Sequence, residues 1–116
     1  MKLNYDLIRD ILLDIEEIAD GHTNYPFLFY WEEKFISYDQ MAFFYHMKYL
    51  SDARLIEAKN GYFIDLTPKG REYLDNIRDK TIWDETKSKI KPLGNVTLDV
   101  ITATAKALVL KYLGLN

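Results

Sequence analysis

The stretch from Ser37 to Leu74 decides the fold and reads SYDQMAFFYHMKYLSDARLIEAKNGYFIDLTPKGREYL. Its first part predicts a helix that begins after Ser37 and ends at about Asp52. Ser37 and Gln40 have the spacing of a capping box, in which the first side chain accepts a hydrogen bond from the helix start and the second reaches back. We therefore expect Ser37 to be the N-cap of this helix.

The residues after this helix predict a β-hairpin and a second helix. Two short apolar-rich runs, Leu55–Lys59 and Tyr62–Leu66, are separated by Asn60-Gly61. That pair is a strong hairpin signal because both residues tolerate positive φ. Thr67-Pro68 then supplies an N-cap and a proline for the first helical turn. A helix, a hairpin and a closing helix form the core of a winged helix, so we expect an α+β winged helix-turn-helix fold.

The flanking sequence adds three helices and one strand to this prediction. Apolar residues recur at three- and four-residue spacing over about 4–19, which indicates an amphipathic helix. Phe27–Trp31 is interpreted as a short strand, Thr81–Lys91 as a short helix, and Thr97 as the cap of a last helix. We predict a single domain over 1–116, with a winged-helix core at about 4–80 and an additional C-terminal helical segment at about 81–116.

Composition and charge exclude several classes of protein. The chain is 48% hydrophobic and 28% charged, which is typical of a folded domain rather than a disordered one. Residues 1–33 carry two basic and eight acidic side chains, a sum of −6, whereas residues 34–116 carry 13 and 10, a sum of +3. No apolar run approaches a membrane span, the first residues do not resemble a signal peptide, and there is no cysteine. We therefore expect a cytoplasmic protein that makes no membrane contact.

The sequence offers little material for catalysis or for a cofactor. It contains no cysteine, no glycine-rich phosphate loop and no arrangement of serine, histidine and aspartate that suggests a nucleophile. His22 falls in a turn, and His46 falls within a helix without a second histidine or cysteine at metal-ligand spacing. We expect His46 to be a buried side chain bonded to a backbone carbonyl, and we expect no enzyme activity, metal or cofactor.

Two kinds of partner remain open for the predicted helix and hairpin. A surface for double-stranded DNA would use the cations and the hairpin tip, namely Lys48, Lys59, Asn60, Lys69 and Arg71. A surface for a protein would use the tyrosines and methionine on the same helix, Met41, Tyr45 and Tyr49. DNA binding requires the cations to converge on one face, whereas a protein surface tolerates their dispersal. Residues 25–49 also hold 11 of the chain's 17 aromatic residues, so we expect some of them to be exposed.

The last predicted helix has apolar residues on two sides. One stripe contains Leu98, Ile101, Ala105, Leu108 and Tyr112, and a second apolar side contains Val100, Ala103, Ala107 and Leu110. The second side is either buried in the domain or covered by another copy of the chain. A homodimer through this helix, with Leu110 at the interface, is therefore one of two open interpretations.

Parts of the sequence resemble known bacterial winged-helix proteins. The runs YHMKYLSDARLIEA and IDLTPKGREYLDNIRD are similar to their recognition helix, wing and closing helix, where a glycine lets the closing helix pack closely. The opening MKLNYDLIRDILLDIEE, the tract around His46 and LDNIRDKTIWDETKSK resemble a small prophage-associated family, a domain of unknown function. The resemblance implies a small phage-type accessory or regulatory protein, for which DNA binding is our leading expectation. The winged-helix pattern usually has glycine where this chain has Arg54, which implies positive φ at Arg54.

Overall fold

The computed structural model describes residues 1–115 as a mixture of helices and short antiparallel strands. The elements, in chain order, are α1 (Tyr5–Ile18), β1 (Tyr25–Pro26), α2 (Phe27–Lys34), α3 (Gln40–Asp52), β2 (Ile56–Lys59), β3 (Tyr62–Leu66), α4 (Pro68–Ile77), α5 (Lys80–Ile90), a 3₁₀ turn (Lys91–Leu93) and α6 (Leu98–Tyr112). The α+β class is thus confirmed. Within the described residues, no helix is both long and apolar enough to cross a membrane.

The chain divides into two compact units. Of the described residues, the first unit contains 3–71 together with Met1, and the second contains 72–115 together with Lys2. The first unit holds α1, the sheet, α2, α3 and the start of α4. The second holds the rest of α4, then α5 and α6.

The three strands of the first unit form an antiparallel sheet in the order β1-β3-β2. The hairpin between β2 and β3 turns at Asn60-Gly61, where φ is 55° and 79°. These values confirm the predicted turn, since two consecutive residues with positive φ match the twist of the flanking strands. The short strand β1 pairs with the other edge of β3, placing Tyr25 opposite Phe63 and Pro26 opposite Tyr62.

The core of the first unit combines an aliphatic row with an aromatic cluster. The buried face of α1 consists of Leu7, Ile8, Ile11, Leu12 and Ile15, which confirms the predicted amphipathic helix. Tyr30 lies at the centre of the aromatic cluster, with ring centroids 4.7 Å from Phe63 and 5.4 Å from Phe35. Phe43 stacks on Phe35 at 5.2 Å. Each such buried side chain contributes roughly 1.5–3 kcal/mol, so this cluster fixes the positions of α2, α3 and β3.

Two predictions for the entry into α3 are wrong. The segment that includes Phe27–Trp31 is not a strand: β1 ends at Pro26, and α2 begins at Phe27. Pro26 is the residue before the first helical turn, where a proline costs no hydrogen bond. The cap of α3 is Asp39 rather than Ser37, because the Asp39 carboxylate accepts a hydrogen bond from the Ala42 N–H at 3.0 Å. Gln40 is therefore the first helical residue and closes no capping box.

A tight joint connects α3, β2 and α4. Arg54 has φ 62°, as the resemblance implied, and its carbonyl accepts a hydrogen bond from the Thr67 hydroxyl. Thr67 also caps α4, since its hydroxyl oxygen accepts from the Gly70 N–H at 3.0 Å. Gly70 is buried against the backbone of Leu55. The joint holds the first turn of α4 directly on the start of the hairpin.

In the second unit, α5 and α6 pack against each other. Asp79 caps α5 and Thr97 caps α6, so the helix predicted at Thr81–Lys91 is confirmed with a slightly earlier start. The buried faces contain Ile82, Trp83, Thr86 and Ile90 on α5, and Ile101, Ala105 and Leu108 on α6. Of the two open interpretations of the second apolar side of α6, burial within the domain is wrong, because Val100 and Leu110 are 39% and 43% exposed.

Candidate functional site

The solvent-facing side of α3 is the first candidate surface. It consists of Met41, Tyr45, Lys48 and Asp52, which we call the α3 outer face; all four side chains are exposed, Met41 to 75%. Lys48 Nζ lies 2.8 Å from Asp52 Oδ2, one helical turn further on. This hydrogen bond to the carboxylate raises the pKa of Lys48. With the exposed cap Asp39 included, the outer face carries one cation and two anions.

The inner side of α3 fixes the orientation of that face. Phe43, His46, Met47 and Leu50 are buried. His46 Nδ1 lies 2.7 Å from the Ala42 carbonyl oxygen, and His46 Nε2 accepts the Asn4 N–H at 2.8 Å. A backbone N–H can only donate, so this arrangement places the ring proton on Nδ1. The interpretation of His46 as a buried histidine bonded to a backbone carbonyl is confirmed.

The hairpin tip carries two of the residues predicted for DNA. Lys59 and Asn60 are both exposed there. The tip does not stand free of the domain, since the Gly61 carbonyl accepts the Phe27 N–H at 2.8 Å. The pairing of Pro26 with Tyr62 fixes the same end of the hairpin. The tip is therefore short and tied to the start of α2.

The other predicted cations lie at the opposite end of the hairpin. Lys69 and Arg71 belong to the first turn of α4, next to the joint with Leu55. Lys59 lies four residue steps beyond Leu55 along extended chain, a distance of about 13 Å. Arg71 forms an ion pair with Glu16 at 3.1 Å, whereas Lys69 is exposed. Lys69 and Arg71 are thus two residues apart on α4, where side chains do not share a helix face, and the structure does not join them to Lys59 and Asn60.

Exposed apolar side chains are also present outside α3, on α2 and the hairpin. Phe29, Leu28 and Tyr62 are exposed to 58%, 48% and 46%. Tyr45 is 39% exposed, whereas Tyr49 is only half-exposed. The Phe27 and Phe44 rings, 6.5 Å apart, connect the start of α2 with α3. The sequence predicted exposed aromatic residues in this region but not the exposure of Leu28. Phe27–Trp31 was interpreted as a strand, and a strand does not predict which side chains the helix α2 exposes.

A small cleft lies beside the exposed aromatic residues. It has a volume of ≈ 220 Å³ and is lined by Tyr25, Phe29, Tyr30, Glu33 and Lys34, among others. The Tyr30 hydroxyl donates to Asp14 Oδ2 at 2.5 Å, and Lys34 Nζ lies 3.7 Å from Asp14 Oδ1. Burial, followed by the hydrogen bond to Asp14, raises the pKa of Tyr30. Because Tyr30 and Lys34 both bond Asp14 of α1, these two polar groups serve the fold.

The residue predicted for self-association, Leu110, is exposed on α6 in the second unit. Val100, Ala103 and Ala107 are exposed with it. In the part of the chain that the structure describes, no cluster of three or more histidine, aspartate or glutamate side chains is arranged to hold a metal ion.

Comparison with known proteins assigns the chain to a family. The model of the family described as "Hypothetical protein (DUF2513)" matches residues 2–96, from the start of the chain to the loop before α6. An uncharacterized protein of Haemophilus influenzae is 33% identical over 122 residues, covering 97% of this chain and 99% of that protein. No solved structure matches the chain. The extent of the family match and the similarity of this relative show that the chain belongs to the DUF2513 family.

Proposed function

We propose that the predicted core, at about residues 4–80, folds as a winged helix. The order α1-β1-α2-α3-β2-β3 and the three-stranded antiparallel sheet support this proposal. Under this proposal α3 is the recognition helix, because it directly precedes the hairpin. The resemblance implies positive φ at Arg54 and close packing at the glycine of the closing helix. The φ of 62° at Arg54 and the close approach of Gly70 to Leu55 therefore support the winged-helix proposal further.

We propose that this winged helix is a protein-interaction module that binds its partner through the α3 outer face. The observation that carries the proposal is the chemistry of that face: Met41 and Tyr45 are exposed, and the single lysine is bonded to Asp52. Tyrosine and methionine are enriched in protein interfaces, whereas lysine is depleted. A recognition helix with two carboxylates and one bonded lysine suits a protein surface better than a phosphate backbone.

DNA binding is the second candidate function. Lys59, Asn60 and Lys69 are exposed, and they support a contact between the hairpin region and phosphates. Against this, Lys59 and Lys69 lie at opposite ends of the hairpin, and Arg71 is paired with Glu16. At most four cations, Lys48, Lys59, Lys69 and Arg71, are available to neutralise phosphates. A plot of log DNA affinity against log salt concentration should therefore have a slope no steeper than about −4. Any duplex binding is therefore expected to be weak, tolerant of sequence and sensitive to salt.

Photo-crosslinking tests the proposed docking face. A photo-reactive phenylalanine derivative replaces Met41 in bacteria that produce the protein, and the same derivative replaces Glu17, on the exposed side of α1, as the matched control. We expect a discrete protein adduct from position 41 that disappears when Tyr45→Asp is added. Adducts of equal strength from position 17, or adducts to nucleic acid alone, would contradict a protein-docking role for the face.

Three further expectations remain proposals. They are an origin in a prophage, a cytoplasmic location and a homodimer through α6. None of them depends on which partner the α3 outer face takes.

A further inference from the structure

The cleft formed by the end of α1, by β1 and by α2 contains a carboxylate that the fold does not use. This carboxylate belongs to Glu33, and the same cleft is lined by three aromatic rings, those of Tyr25, Phe29 and Tyr30. The Glu33 side chain is exposed and forms no hydrogen bond or ion pair with any residue of the described chain, 1–115. It is therefore available to a group from outside the chain.

We propose that this cleft binds an arginine side chain of a protein partner, with the guanidinium group against the aromatic rings and paired with Glu33. Aromatic rings attract organic cations through their negative faces, and a carboxylate forms strong hydrogen bonds with a guanidinium group. Arginine suits such a cleft better than lysine, because its planar group can stack on a ring and pair with a carboxylate. The inference concerns α1, β1 and α2 and does not rest on the function proposed for the α3 outer face.

The charges around the cleft favour a cation. Among the described residues that line it, Lys34 is the only basic one, and its Nζ lies 3.7 Å from Asp14 Oδ1. These two charges offset each other, which leaves the negative charge of Glu33. Ile18 also lines the cleft, at the C-terminus of a 14-residue helix whose last turn carries no basic residue. The carbonyl end of a helix carries about half a negative charge, so it attracts a cation as well.

The size and surroundings of the cleft indicate a side chain carried on a protein. Its volume of ≈ 220 Å³ is below the roughly 300–1,000 Å³ of typical small-molecule sites. Apolar surface adjoins it, since Phe29 is 58% exposed and the preceding Leu28 is 48% exposed. Arginine is enriched in protein interfaces, where a few side chains fill pockets and apolar contacts around them exclude water. We therefore expect the arginine to be flanked by apolar residues of the partner.

A peptide titration followed by NMR of the full chain tests the chemistry of the site. The probe is the capped tripeptide leucine-arginine-leucine, and its control carries citrulline, which has the shape of arginine without its charge. We expect saturable shifts of the Phe29 and Glu33 amide signals, with a dissociation constant in the millimolar range, and about tenfold weaker binding of the citrulline peptide. Equal binding of the two peptides, or no saturation in this range, would overturn the proposal.

Matched substitutions on α2 test the role of the carboxylate. Glu33→Gln should weaken binding of the arginine peptide by about three- to fivefold. Glu32→Gln is the control, because Glu32 is the exposed neighbouring carboxylate and does not line the cleft; it should leave the affinity unchanged. Both side chains are exposed, so circular dichroism should show that both variants are folded. An equal effect of the two substitutions, or no effect of Glu33→Gln, contradicts the proposed site.

The source of the cation is tested with methylguanidinium chloride in the same titration. An arginine carried on a protein predicts that methylguanidinium binds several-fold more weakly than the tripeptide, because it lacks the apolar flanks that contact Phe29 and its surroundings. Methylguanidinium that binds as tightly as the tripeptide would assign the cleft to a free organic cation and overturn the protein partner.

Discussion

Substitution of Gly70 tests the joint between the first turn of α4 and the start of the hairpin. A methyl group at position 70 would lie 1.9 Å from the Leu55 carbonyl oxygen and 2.8 Å from the carbonyl carbon. Ordinary contact begins at 3.4 Å, so the backbones must separate by about 1.5 Å. That movement strains the hydrogen bond from the Thr67 N–H to the Leu55 carbonyl, which is 3.1 Å long.

The expected cost of Gly70→Ala follows from three opposing effects. Overpacking costs roughly 1–3 kcal/mol. Loss of the Thr67 hydrogen bond costs about 1 kcal/mol. Alanine in a helix recovers about 1 kcal/mol relative to glycine. We therefore expect the free energy of unfolding to fall by about 1–3 kcal/mol, although the same change in an ordinary helix would raise it.

Urea unfolding followed by circular dichroism measures this loss. Lys69→Ala is the matched control, because Lys69 is the exposed neighbour in the same helical turn, and it should change stability by less than about 0.5 kcal/mol. A corresponding fall in melting temperature of roughly 4–10 °C is expected for Gly70→Ala. A variant as stable as the unmodified protein, or more stable, would refute the close approach of Gly70 to Leu55.

Three further predictions concern the hairpin, the aromatic core and α6. Gly61→Val should destabilise the fold by about 1 kcal/mol or more, because valine is strained at φ 79°; an unchanged melting temperature would count against this turn. Tyr30→Phe should cost about 1–3 kcal/mol through the lost hydrogen bond to Asp14. Because the fold raises the pKa of Tyr30, its stabilisation is complete below about pH 10 and declines at higher pH, so urea unfolding should show a steeper alkaline loss for the unmodified protein than for Tyr30→Phe. Leu110→Glu should yield a folded monomer by circular dichroism and sedimentation, since the side chain is 43% exposed; an unfolded variant would place Leu110 in the core.

The sequence predicted those parts of the fold in which residues close together in the chain determine the backbone conformation. Asn60-Gly61 turns the hairpin because both residues accept positive φ, and Thr67 and Thr97 cap the helices that follow them. The spacing of apolar residues likewise identified α1 and its buried face. These features depend on neighbours a few residues away, which a sequence displays directly.

The errors occurred where tertiary contacts override local preference. In Phe27–Trp31 every residue is aromatic or aliphatic, so neither helical nor strand periodicity is visible in the sequence. The aromatic cluster around Tyr30 supplies the packing that makes this segment a helix. Near α3, Ser37 and Asp39 are both good caps, and the structure uses Asp39, the nearer to the helical residues.

The candidate site was predictable in residue type but not in arrangement. The sequence identified Lys48, Met41 and Tyr45 as candidate contact residues of one helix, and the structure exposes all three. It did not reveal the pairing of Arg71 with Glu16, which is 55 residues away along the chain. The bond between the hairpin tip and the start of α2 also joins residues that are far apart in the sequence. Both facts depend on long-range contacts, and both argue against a continuous basic surface.

A duplex-binding titration tests the central proposal most directly. Fluorescence anisotropy of a labelled, mixed-sequence DNA duplex is followed at low salt with the unmodified protein and with the Lys48→Ala, Lys59→Ala double variant. A protein-docking α3 outer face predicts, for both proteins alike, no saturable binding in the micromolar range. Saturable binding that the double variant loses, with a salt slope near about −4, would contradict the proposal and assign the surface to DNA.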